Sequence, residues 1–330
     1  MIANHAAGMT EINEIVPRMT SMKVLRYNND PGAPALVADT APVPHPKSGE
    51  ILIRVHAAGV TPSELLWYPT THAHSGEPRT GAIPGHEFSG VIEAVGAEVD
   101  SKLVGQEVFG MNDWFADGAC AEYCVSTPTS IAPKPALLSH AEAATVPIGA
   151  LTAWQGLVDR AKLQASERIL IHGGAGAVGV FAIQIARRAS AHVITTASAR
   201  NFDFLAKLGA NEVIDYRTHR FEEKVQPVDV VFDSIGGETL HRSWGLLKPD
   251  GRMVTIASAS EGNKDERIEK AFFIVEPNRK QLSEIALLLG AGLLQCFVDA
   301  VVPLERASDA YRGSIPERRG RGKVVLSIVN

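Results

Sequence analysis

With 330 residues, 45% hydrophobic and 21% charged, and 29 glycines, the chain has the make-up of a soluble globular protein with room for two cores. Its formal net charge of −5 lacks the basic balance that general nucleic-acid or anionic-membrane binding requires. Three cysteines make no disulfide framework, which suits a reducing cytoplasm.

The first stretch, 1–21, has no basic segment followed by an apolar one and reads as a polar extension rather than a secretory signal. From Met22 to about Ile131 the chain is β-rich, with strands predicted at 23–27, 50–57, 89–95, 107–110 and 119–125. Proline- and glycine-bearing stretches such as 42–49 separate them. Cys120 and Cys124 fall in the last of these strands. Four residues of strand span about 13 Å, beyond the reach of a disulfide. Ser139 and Glu142 then form a capping box that predicts a helix start, and a second helix is predicted over 151–161.

The most informative stretch follows. Arg168 to His172 reads as a short apolar strand running into Gly174-x-Gly176-x-x-Gly179, and 180–189 has helical spacing. Strand, glycine turn and helix in that order are the setting of a dinucleotide fingerprint. Gly174 permits a tight turn, Gly176 lets backbone approach a pyrophosphate, and Gly179 lets the helix pack on the strand. The free N–H groups at that helix start face the anion. The alternative is a glycine turn without a ligand, but a strand at 192–196 completes the βαβ unit. An NAD-selective site places Asp or Glu about 20 residues beyond the glycines. This chain has Ala197-Ser198-Ala199-Arg200-Asn201, a guanidinium and no carboxylate, which suits the 2′-phosphate of NADPH. The alternative is that Arg200 is an ordinary surface arginine opening the next helix.

Further strands are predicted at 212–215, 228–233 and 252–256, the last preceded by a Pro249-Asp250-Gly251 turn. With helices between them, they make a doubly wound pattern. The stretch 285–302 is apolar over a near-membrane length but holds Gly290, Gly292, Gln295 and Asp299. A helix from Arg279 to the glycines, then a strand at 297–302, accounts for it better than a membrane span. A last strand is predicted at 323–329. The expected class is α/β: a β-rich domain over 22–138 completed by 279–330, and a doubly wound domain over 139–278.

Several motifs occur in a telling order: Ala57-Ala-Gly-Val-Thr-Pro-Ser-Glu, Ile83-Pro-Gly-His-Glu-Phe-Ser-Gly, Gly105-Gln-Glu-Val-Phe-Gly and Gly118-Ala-Cys-Ala-Glu-Tyr. The glycine turn, Leu208-Gly-Ala, Ile214-Asp-Tyr-Arg, Asp233-Ser-Ile-Gly-Gly and Gly322-Lys-Val-Val-Leu follow. Together they resemble the medium-chain dehydrogenase/reductase superfamily, in its zinc-independent, zeta-crystallin-like quinone oxidoreductase branch. The resemblance covers nearly everything from Met22 onward. It implies a GroES-like catalytic domain, a Rossmann domain, a nicotinamide in the cleft between them, and a cytosolic enzyme that is usually a homodimer. It implies Ala177 and Val178 beside the glycines at the pyrophosphate, Ser198, Arg200 and Tyr216 around the 2′-phosphate, and Thr152 near the nicotinamide ribose. Ser234 and Ser258, at the ends of late strands, are further cofactor candidates, since strand C-termini line the crevice. Phe272 and Phe273 border the nicotinamide or simply fill core.

Zinc-bearing members of the superfamily carry cysteine at the position of Thr61 and a second thiolate near Gly149; His86 with Glu87 remains from that pattern. One imidazole without thiolate partners does not make a three-ligand site, the four-cysteine structural lobe has no counterpart, and His72 and His74 read more readily as solvated. No metal is expected. Without a Lewis acid, reduction of an activated acceptor such as a quinone or enone is favoured over alcohol oxidation. Thr61 could donate to a developing oxyanion or serve only as a turn residue before Pro62, and Tyr68 and Trp67 could contact substrate or simply pack. An enoyl-thioester reductase would need a well-placed tyrosine acid, for which Tyr68 is the near candidate. A non-catalytic NADPH- or RNA-binding role would draw on the basic run 318–323, which a solvated loop explains more simply.

Overall fold

The computed structural model describes residues 20–28 and 35–328, so most of the extension at 1–21 lies outside the described residues. The first part of the chain forms β1 (Ser21–Asn28), β2 (Ala35–Pro42), β3 (Ile51–Gly59), β4 (Glu87–Val95), β5 (Glu107–Met111), β6 (Tyr123–Ser126) and β7 (Ile131–Pro133). The middle forms β8 (Arg168–His172), β9 (His192–Ala197), β10 (Glu212–Asp215), β11 (Val228–Asp233) and β12 (Leu247–Thr255), and the tail forms β13 (Val298–Pro303) and β14 (Lys323–Ser327). These make a GroES-like catalytic domain and a Rossmann-type dinucleotide domain.

The catalytic domain is a seven-stranded sheet in the order β13-β14-β3-β4-β5-β7, with β6 also paired to β3, beside a two-stranded β1-β2 ribbon. The tail does fold back: β14 runs antiparallel to β3 through Val325–Gly59, Leu326–Ala58 and Ser327–Ala57. Strand β3 is buried along most of its length, because strands flank it on both sides and side chains cover both faces. Leu326 is fully buried in the core of this domain.

The second sheet is parallel, in the order β10-β9-β8-β11-β12. Strand β8, Arg-Ile-Leu-Ile-His, reads as a continuous apolar run because helices cover both faces of such a sheet. The helix Gly179–Arg188 packs there through Val180, Phe181 and Ile183, all buried. One apolar cluster continues from Phe109 and Met111 of β5, through the helix Pro147–Trp154, to Ile169 and Ile171 of β8. That helix therefore joins the two sheets. Among the described residues, no helix is long and apolar enough to cross a membrane.

Three local expectations need correction. The strand predicted at 119–125 is instead Tyr123–Ser126, because Ala119 and Cys120 bond back to the Gly85 and Pro84 carbonyls. The predicted helix at 151–161 starts at Pro147, which suits a first helical turn, and ends in a π-helical turn, Gln155–Arg160. A Cβ on Gly156 in that turn would come within 2.5 Å of the Phe232 ring. The Pro249-Asp250-Gly251 turn lies inside β12, where Val228 faces Leu247 but Val230 faces Arg252, so the intervening residues loop out. In addition, β2 and β7 have too few alternating apolar residues to be visible as strands.

Strand β14 completes the catalytic domain, so its core side should be costly to truncate. Leu326→Ala is expected to lower stability by about 2–5 kcal/mol in chemical denaturation.

Candidate active site

A cleft of about 800 Å³ opens between the strand ends of the dinucleotide sheet and the 61–67 turn of the catalytic domain. Backbone at 173–179 lines one wall. The residue with positive φ in this turn is Gly173, at 77°, and not Gly174. Gly174 is required for a different reason: a Cβ there would sit 2.1 Å from the Thr195 hydroxyl. A Cβ on Gly179 would strike the Gly173 carbonyl at 2.3 Å, as expected of the glycine that brings helix onto strand. Gly176 has a freer face, with only the Gly173 carbonyl at 3.2 Å from the added carbon. The helix Gly179–Arg188 starts at this wall; the Val180, Phe181 and Ala182 amides bond back to the Gly176 and Val178 carbonyls, and the positive end of the helix dipole at the wall fits a pyrophosphate.

Gly176, Ala177, Val178, Gly179, Ser198, Arg200, Tyr216, Ser234 and Ser258 all line the cleft, as do Thr61 and Thr152 at the catalytic-domain end. Gly174 stands behind the wall. Tyr68 is not brought to the cleft; it is half-exposed and stacked on His72 at 4.2 Å, while Trp67 takes the lining place. Phe272 and Phe273 do line it.

The turns at the strand ends are braced from beneath. The buried Asp233 carboxylate accepts from the amides of Ile235 and Gly236 and from the Thr255 hydroxyl, shaping the turn that carries Ser234. Ser234 in turn donates to the His172 carbonyl at 2.8 Å.

The basic run 318–323 is a loop leading into β14, exposed at Arg318 and Arg319 as expected, but it is tied down from inside. Asp299, 1% exposed, takes Arg318 Nε at 2.6 Å, the Gly320 amide at 2.5 Å and the Arg321 amide at 3.3 Å. Arg321 donates to the Asn201 side chain at 3.0 Å and lies 4.5 Å over the Phe204 ring. Gly320 has φ 73°, and a Cβ there would stand 2.3 Å from the Arg200 guanidinium. The Gly322 amide donates to the Ala175 carbonyl at 2.9 Å. The tail is thus laid against both the glycine turn and Arg200, and Arg318 joins Arg200, Arg217 and Arg242 in the cleft lining.

At the other end are three buried or partly buried groups whose association sequence reading missed. Lys323 Nζ donates to Glu87 Oε1 and, at 3.1 Å, to Thr61 Oγ1. Glu87 Oε2 accepts the Ile148 amide at 3.0 Å. Burial lowers the Lys323 pKa to about 7, with the Glu64 carboxylate pulling it back up. A lysine opening an otherwise apolar strand was the available signal, since such a charge must meet a partner inside. Alongside, Glu64 accepts from His86 Nδ1 and from the Tyr311 hydroxyl, each at 2.5 Å, and from the Gly85 amide at 3.2 Å. Cys120 lies 3.5 Å from the Tyr311 hydroxyl; burial raises its pKa, and raises that of Cys124 to about 12, so both stay as thiols.

The chain matches the alcohol dehydrogenase GroES-like domain family over residues 47–154 and the zinc-binding dehydrogenase family over 208–326. It is 32% identical to a probable zinc-binding mitochondrial oxidoreductase of Arthroderma benhamiae, across 92% of this chain and 96% of that one. The chain belongs to the medium-chain dehydrogenase/reductase superfamily. Within this superfamily it lies in the quinone-oxidoreductase-like branch: it is 30% identical to the quinone oxidoreductase of Mus musculus, across 86% of this chain and 91% of that one. The solved quinone oxidoreductase of Coxiella burnetii superposes with a TM-score of 0.83 at 29% identity, covering 94% of this chain and all of that one. As a member of this superfamily the chain is a pyridine-nucleotide oxidoreductase, and its glycine wall fits that cofactor class.

His172 closes the floor of the cleft. It bonds Thr196 Oγ1 at 3.1 Å and Ser243 Oγ at 2.9 Å, and burial, seconded by Arg242, depresses its pKa to about 3. The unfolded chain therefore takes up a proton that the folded chain refuses, so this contribution is complete above about pH 6.5 and is lost on acidification towards about pH 3. Unfolding midpoints measured at pH 7.5 and 4.5 should show the gap between wild type and His172→Asn narrowing by about 2–3 kcal/mol at the lower pH.

Proposed function

We propose that the protein is an NADPH-dependent reductase of quinones and α,β-unsaturated carbonyl compounds that works without zinc. The observation that carries this reading is the pair of cleft ends. Arg200 and Arg318, with no carboxylate beside Arg200, stand at the end where a 2′-phosphate would lie; the Thr61 hydroxyl, backed by an ammonium, stands at the other.

The residues present do not fit a catalytic zinc. Thr61 offers a hydroxyl where zinc-bearing relatives have a thiolate. Both ring nitrogens of His86 are engaged, Nδ1 by Glu64 and Nε2 by the Ala116 carbonyl at 3.2 Å. At Gly149, the position near the second thiolate, a Cβ would press within 2.6 Å of the Ala177 carbonyl. The Lys323 ammonium already supplies the positive charge beside Thr61 and Glu87.

The nicotinamide, when bound, supplies the hydride. The chain holds the acceptor in a cleft walled by Trp67, Ile148 and Phe273, and Thr61 donates a hydrogen bond to the acceptor oxygen as negative charge grows there. A solvent proton then completes the two-electron reduction. Acceptors whose carbonyl is already electrophilic need no stronger polarisation than this, which is why activated double bonds and quinones suit the site better than alcohols.

NADPH oxidation across quinones, enones and enoyl thioesters, with NADH in parallel, tests the reading. Turnover should favour NADPH and persist in a strong chelator; binding of NADPH with no turnover on any acceptor would overturn it. Arg200→Ala should weaken NADPH binding by about 10- to 100-fold and leave NADH binding nearly unchanged, as loss of one charge-assisted hydrogen bond predicts. Thr61→Val should lower kcat by about 100-fold, the usual cost of one oxyanion donor.

A further inference from the structure

A buried lysine in its protonated form has three donors and no acceptor, so every neighbour it then touches must accept from it. Lys323 is 4% exposed, and its Nζ has two oxygen partners, Glu87 Oε1 and Thr61 Oγ1. The charged groups around it are Glu87 in contact and Glu64 further off; Glu64 is itself occupied by His86 and Tyr311. Glu87 is fully buried and held in place by the Ile148 amide, so Lys323 cannot swing away without stranding a carboxylate.

This geometry sets the direction of the Thr61 hydroxyl. Its oxygen accepts from Lys323 at 3.1 Å, so its hydrogen must point elsewhere. The hydroxyl donates to Glu87 Oε1 only at a long 3.4 Å, a contact that a closer acceptor oxygen in the cleft would displace. The other direction open to the hydroxyl is the cleft that Thr61 lines. A buried Lys–Glu pair is by itself weak grounds for stability, since apolar replacements often serve as well. Here it sits directly behind the hydroxyl.

We propose that Lys323 is a positioning residue that acts through Thr61: it fixes the threonine hydroxyl as a donor into the cleft and polarises it towards the oxygen of the acceptor being reduced. This rests on the reductase reading above. Glu87 anchors the ammonium, so the three residues form a one-way chain of hydrogen bonds, Lys323 to Thr61 to substrate. A chain of this kind strengthens each bond in it, and its last donor matters most when charge develops on the acceptor oxygen. Its loss should therefore appear in kcat, with little change in the binding of either reactant.

The test removes both charges together, since Lys323→Met alone would leave Glu87 buried and unpaired. Glu87→Gln/Lys323→Met, Thr61→Val and the three-residue combination are compared by kcat and KM for the best acceptor, with NADPH affinity by fluorescence. The charge-pair variant should lose about 10- to 100-fold in kcat, with acceptor KM and NADPH affinity within about two-fold of wild type. Adding Thr61→Val should cost at most about two-fold more, because both changes break one chain. In a Thr61→Ser background, which keeps the hydroxyl, removing the pair should again cost the full factor. If the pair variant fails to bind NADPH as a folded protein, Glu87→Gln/Lys323→Leu carries the same comparison, since it likewise removes both charges and leaves position 323 with no side-chain donor to Thr61. A folded variant with wild-type kcat, or losses that multiply with Thr61→Val, would overturn the proposal. A wild-type protein inert towards every acceptor would instead overturn the reductase reading.

Discussion

The buried contact between Glu87 and Lys323 ties together parts of the chain that are otherwise distant. Glu87 opens β4, Lys323 opens β14, Thr61 lies just after β3, and Ile148 sits in the first turn of the helix that runs on to the dinucleotide sheet. One carboxylate accepts from all three partners. Two charges are removed from water here, which is tolerable only because each lone pair or proton finds a partner. The site is consequently rigid at the point where a hydroxyl reaches the cleft. A Cβ on Gly59 would stand 2.6 Å from the Glu87 side chain, so even the backbone opposite is shaped by this carboxylate.

A second carboxylate does comparable work at the far end. Asp299 gathers Arg318, Gly320 and Arg321 into a tight loop and lays it against Arg200 and the glycine turn. The tail strand thus does two jobs: its apolar residues complete the catalytic sheet, and the loop before it closes over the dinucleotide domain. Trp114, donating to the Val275 carbonyl at 2.9 Å, makes a further link across the cleft. Both domains therefore present fixed walls to whatever binds between them.

The relation to zinc-bearing members of the superfamily follows from these two contacts. Where such a member holds a dication, this chain has a hydroxyl, an engaged imidazole and an ammonium already paired. The Lys323 side chain, on the strand that closes the catalytic domain, bonds the Thr61 hydroxyl at that end of the cleft.

The local elements were largely legible in the sequence, because periodicity and glycine spacing are local properties. The strands from β8 to β11, the helix from Arg279 and the capping box at Ser139 stand where the pattern predicts. The absence of a carboxylate after β9 could likewise be read directly. Strands β2 and β7 could not, since their partners and not their composition make them strands. The sequence showed that Gly174 was needed, but only packing against Thr195 explained why. It placed Tyr68 near the substrate; a stack on His72 turns it away. The inner ties of the run 318–323 were not legible, because a charge's partner cannot be seen when it lies 19 residues upstream, as Asp299 does from Arg318. Lys323 and Glu87, 236 positions apart, are the extreme case. Sequence by itself determined the domain types, the cofactor class and the want of thiolates. Tertiary structure alone decided which buried charges meet, because a burial cost is met by whichever partner the fold brings near, however distant along the chain.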